Sequence, residues 1–108
     1  MTRTVVYMRG ASFVDVAATV GETIFEQDVE LGGIQRIQSR DFLIRTADLV
    51  LDAEHVLPQA GDRIRETVSE KVFVYEVMAP GSVPPYRYSD PYRKALRIHT
   101  KHTATENA

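Results

Sequence analysis

An all-β fold, a small β-barrel or sandwich of about six to seven short strands, is what this 108-residue sequence predicts. Three observations carry it: short valine- and aromatic-rich runs, turn residues between them, and no helical pattern longer than a turn or two. The size suits one domain, so residues 1–102 are read as a single β-barrel with a frayed tail over 103–108.

The elements follow in order. Thr4 to Met8 and Phe13 to Val20 read as an opening strand pair around the turn Arg9-Gly10-Ala11-Ser12, with Gly21 closing the second run early. Ile24 to Glu30 alternates less well, and Leu31-Gly32-Gly33 breaks it. Ile34 to Arg45 then reads as a long strand with a bulge near Ser39. Thr46 to Leu51 fits either a single helical turn capped by Thr46 or a strand end. Pro58 to Arg63 is a turn by composition, leading into strands Arg63 to Val68 and Lys71 to Met78. The second of these is apolar on both faces, which places it centrally. Ser69-Glu70 between them has the length of a tight hairpin without the glycine or asparagine such turns prefer. Lys94 to Lys101 gives a last, half-exposed strand, with Ala95, Arg97 and His99 on one side and Leu96, Ile98 and Thr100 on the other.

Composition narrows the function classes. Cysteine is absent, which removes disulfides, thiolate metal sites and thiol nucleophiles. A net charge of −2 is too close to neutral for phosphate binding over the whole surface, and the apolar runs are too short to span a bilayer, so no membrane partner is expected. The charge is unevenly placed. Residues 1–32 carry Arg3 and Arg9 against five carboxylates, net −3, while residues 80–102 carry Arg87, Arg93, Lys94, Arg97 and Lys101 against Asp90, net +4. Such poles suit a molecule that meets copies of itself or a charged partner in one orientation.

No catalytic, metal or cofactor site is expected. His99 and His102, three apart, fall on opposite faces of a strand. His55 with Asp48, Asp52 and Glu54 reads as a solvated loop, and Ser89-Asp90 lacks any nucleophile context. The informative stretch is the long loop before the last strand, PGSVPPYRYSDPYRK, Pro80 to Lys94, with four of the five prolines and three of the five tyrosines. Tyrosine and arginine are enriched at interface cores, and prolines lower the entropy lost on docking. Tyr86, Arg87, Tyr88, Tyr92 and Arg93 are therefore the candidate partner-docking residues. Exposed aromatics and arginines on a barrel also fit an OB-like single-stranded nucleic-acid binder, the rival reading.

Four blocks in order, SRDFLIRTADLVL (Ser39 to Leu51), PQAGDRI (Pro58 to Ile64), VYEVMAPG (Val74 to Gly81) and PYRYSDPYRKALRIHTK (Pro85 to Lys101), resemble the head-tail joining or head-completion (stopper) proteins of tailed phages. The resemblance is weaker over the first third. Relatives often carry tryptophan where Tyr86 stands and a glycine-bearing turn where Ser69-Glu70 stands. It implies a structural, non-enzymatic barrel without cofactors, made in the host bacterial cytoplasm and ending in the virion neck. There it would form a homo-oligomeric ring joining portal or adaptor protein to tail or tail-terminator protein, around DNA that passes without sequence-specific binding. A related tail-end (terminator) protein is the neighbouring alternative.

Overall fold

The computed structural model describes residues 2–28, 32–81 and 83–107. Seven strands form one antiparallel sheet: β1 (Thr2–Arg9), β2 (Ser12–Asp28), β3 (Ile34–Arg45), β6 (Arg63–Val68), β7 (Lys71–Val77), β8 (Tyr86–Tyr88) and β9 (Ala95–Asn107). The small hairpin β4 (Val50–Leu51) and β5 (Glu54–His55) stands apart. Strand order is β3-β2-β1-β6-β7-β9-β8, and β3 also pairs with β9, so six strands come close to a closed ring with β8 added along β9. The all-β expectation holds, but the strands are not uniformly short. β2, β3 and β9 span 17, 12 and 13 residues. Closure is the reason: β9 pairs with β3 through its first half and with β7 through its second, so one strand serves both seams.

Alternation builds the core. Val5 and Tyr7 of β1, Val16 and Ala18 of β2, Phe42 and Ile44 of β3, Ile64 of β6, Tyr75 and Val77 of β7, and Leu96 and Ile98 of β9 all point inward, with Leu49 and Leu51 beneath. Each fully buried large side chain contributes roughly 1.5–3 kcal/mol. Phe42 and Tyr75 meet edge to face at 5.3 Å, and the Arg40 guanidinium lies 5.0 Å from the Tyr75 ring centre. Arg40 and Arg3 both bond Glu66, a buried carboxylate that such pairing makes tolerable. At the other seam, Asp62 accepts from Tyr7 and Arg9, latching the Pro58 to Asp62 turn to β1. Burial, then the hydrogen bond to Asp62, pushes the Tyr7 phenol well above its ordinary range.

Several sequence expectations need correction. Gly21 does not end β2: a Cβ there would come within 3.2 Å of an Arg97 guanidinium nitrogen, so glycine admits a crossing side chain rather than a turn. No bulge interrupts β3 at Ser39; its register with β2 runs unbroken from Ala18↔Ile44 to Asp28↔Ile34. The irregularity lies in the β7–β9 pairing, between Val74 and Tyr75. Thr46 does not cap; Thr46–Asp48 is a single 3-10 turn, and the Thr46 hydroxyl donates instead to the Arg93 carbonyl. The tail expected to fray is β-strand through Asn107, which pairs with Lys71. Its exposed side chains hid a backbone that completes β7. β9 is also less exposed than expected, since His99 and Thr100 are buried. Glu30 and Leu31, placed at the break after β2, lie outside the described residues.

Candidate docking surface

The proline-rich segment is tied to its own barrel at several points. β8 pairs with β9 as Tyr86↔Ile98, Arg87↔Arg97 and Tyr88↔Leu96. Period two therefore turns Tyr86 and Tyr88 to one side, where they pack against the core with rings edge to face at 5.8 Å, and leaves Arg87 exposed. The turn that follows is organised by Asp90. Its carboxylate accepts from the backbone N–H of Tyr92 at 3.1 Å, Lys94 at 2.9 Å and Ala95 at 2.9 Å. Against the desolvation that would raise it, these N–H donors hold the Asp90 carboxyl below its usual range. Arg93 takes a left-handed φ of 59° in this turn. Its carbonyl accepts from Thr46 Oγ1 and the Lys94 carbonyl from the Thr46 backbone N–H, each at 2.8 Å.

The five predicted docking residues share one segment but not one role. Tyr86 and Tyr88 chiefly anchor the segment. Tyr92 is 79% exposed, with the Lys94 ammonium 6.0 Å from its ring centre, and Arg93 lies 5.5 Å over Tyr88. Sequence reasoning missed what this turn encloses: a groove of about 650 Å³ lined by Arg45, Thr46, Ala47, His55, Arg93, Lys94 and Ala95. Only the long-range register Arg45↔Ala95 brings Arg45 there, and no local signal encodes that pairing. Here His55 stands exposed on β5, beside cations as well as its neighbour Glu54. His99 and His102 part company as expected from strand geometry: one is buried against Asp41, the other is exposed beside Phe73 and Tyr75.

A second feature was absent from the sequence reading. β1 pairs with β2 no further than Thr19, and β9 pairs with β3 no further than Arg40. Among the described residues, 23–28 and 34–39 pair only with each other, forming a two-stranded arm that leaves the barrel. Its base is fixed by Asp41, which is fully buried and accepts from Thr23, from Ser39 Oγ at 2.5 Å and from Arg97 Nη1 at 2.7 Å, with His99 Nδ1 at 3.0 Å. Phe25 meets the His99 ring edge to face at 5.0 Å.

A near-closed β body, a preformed basic groove and a projecting arm define a structural assembly module. The chain belongs to the phage head-tail joining protein family, whose model matches residues 1–107. The protein is accordingly a structural, non-enzymatic component of the virion's head-tail junction. No curated protein and no solved structure matches it.

Proposed function

We propose that this protein forms a ring at the neck, between portal or adaptor protein and tail or tail-terminator protein, around the path of the DNA. Tyr92, Arg87 and Arg93, with Tyr86 and Tyr88 as anchors, form the surface that docks on a neighbouring component. The observation that carries the reading is the Asp90 turn: three backbone donors and the Thr46 clasp hold a 79%-exposed tyrosine among cations before any partner arrives. Preorganisation of this kind lowers the ordering cost of association. Near-neutral net charge fits a conduit, because each neutralised phosphate adds grip on passing DNA. The nucleic-acid reading loses ground, since Tyr86 and Tyr88 turn their rings toward the core rather than offering a stacking face.

The test is assembly. Replacing Tyr92, Arg87 and Arg93 together by alanine is expected to leave thermal unfolding near wild type and to block joining of heads to tails, scored by electron microscopy of lysates. Wild-type particle yield from that variant would overturn the docking role.

A further inference from the structure

We infer that the β2–β3 arm of one copy seats in the Arg45/His55/Arg93/Lys94 groove of the next, so that the subunits join head to tail. The inference rests on the ring reading above and names its contact. Three observations support it. The first is position: the arm is the first half of β3, with its outer end at Ile34, and the groove lies at the other end of the strand, at Arg45. At about 3.3 Å per residue, the ends of this strand are on the order of 35 Å apart. Two different surfaces at opposite ends make a heterologous contact, the kind that closes a ring when the rotation allows.

The second is charge. The arm strands, Glu22 to Asp28 and Ile34 to Gln38, hold Glu22, Glu26 and Asp28 against Arg36, net −2. Arg3, Arg9, Arg36, Arg40, Arg65 and Arg97 all have carboxylate partners within the chain. Among the described residues, seven cations form no such ion pair, Arg45, Arg63, Lys71, Arg87, Arg93, Lys94 and Lys101, and three of them, Arg45, Arg93 and Lys94, are brought together along the groove. The third is shape and polarity. Glu22, Ile24 and Glu26 share one face of the arm, and the pairs Ile24↔Gln38, Glu26↔Arg36 and Asp28↔Ile34 put Ile34 there too. Ile24 and Ile34 are 58% and 66% exposed. A groove with Ala47 and Ala95 between its cations receives isoleucines flanked by carboxylates, whereas a DNA backbone would use the cations alone.

The absence of cysteine makes the test clean. Two single-cysteine proteins, Ile24→Cys and Ala47→Cys, are mixed at high concentration, and also co-packaged in particles, then treated with a short bis-maleimide. Val68→Cys, 45% exposed on β6, replaces Ile24→Cys in the control pair. The expected result is Ile24–Ala47 heterodimers at least tenfold above the control. They should be lost on adding Glu22→Lys with Glu26→Lys, and regained when the Ala47→Cys partner carries Arg45→Glu with Lys94→Glu. Cross-linking no better than control, or indifferent to both charge reversals, overturns the arm-in-groove contact. If particles then still show a ring of this protein, the ring reading survives that loss; if they show none, both fall.

Discussion

At the scale of the residue, Asp41 has the largest consequence. It is a fully buried carboxylate between Arg97 and His99, and through Thr23 and Ser39 it fixes the base of the arm. Desolvation would raise its pKa, but hydrogen bonds from His99, Ser39, Thr23 and Arg97 outweigh this and hold the carboxyl well below its usual range. A folded-state pKa below the unfolded value of about 3.9 means the stabilisation is complete above that pH and is lost as pH falls through the folded value. Asp41→Asn should therefore be less stable at pH 7 and show a shallower loss below about pH 4. Urea midpoints of both proteins from pH 7 to pH 3 check this; parallel curves would contradict it. Ser69 offers the opposite case. It holds φ 56° at the β6–β7 turn, where a side chain costs about 1 kcal/mol or more, partly offset by glycine's freedom in the unfolded chain. Ser69→Gly should stabilise by roughly 0.5–1 kcal/mol, seen as a rise in Tm.

At the scale of the element, the two long segments that leave most side chains in solvent differ in what their backbones do. The last residues of β9 pair with Lys71 to Val74, and the Thr103 hydroxyl donates to the Val74 carbonyl at 3.2 Å. Ending the chain at His102 strips one edge of β7, where Val72 and Val74 are buried. At about 1 kcal/mol per lost ladder bond, the expected cost is roughly 2–4 kcal/mol, with an unpaired edge that invites aggregation. Among the described residues the outer arm pairs only with itself, so replacing residues 27–35 by Asn-Gly should leave Tm nearly unchanged. Thermal unfolding of the two variants side by side distinguishes these roles. A tail truncation as harmless as the shortened arm would mean that β9 beyond His102 adds nothing to the barrel.

At the scale of the whole molecule, what the sequence discloses is local and what it conceals is register. Alternation at Phe73, Tyr75 and Val77, and the turns at Gly10 and Pro58 to Asp62, locate strands and a core face from near neighbours alone. The arm arises because β1 and β9 stop pairing with β2 and β3 at Thr19 and Arg40, and the groove because Arg45 comes opposite Ala95. Neither is written in a window of residues. The predicted tyrosines came out divided for the same reason: β8 pairs with β9, so Tyr86 and Tyr88 face inward while Tyr92 stays out. The uneven charge, by contrast, was legible and has a measurable outcome. With the acidic arm and the basic groove at opposite ends of β3, head-to-tail contact gains from electrostatic attraction that salt screens over about 10 Å at 0.1 M and about 3 Å at 1 M. Self-association measured by sedimentation velocity should weaken at least tenfold between 50 mM and 500 mM salt. Glu22→Lys with Glu26→Lys should weaken it at low salt and flatten that dependence. Association that strengthens with salt would place the contact on apolar surface instead and remove the charge poles from the account of how copies meet.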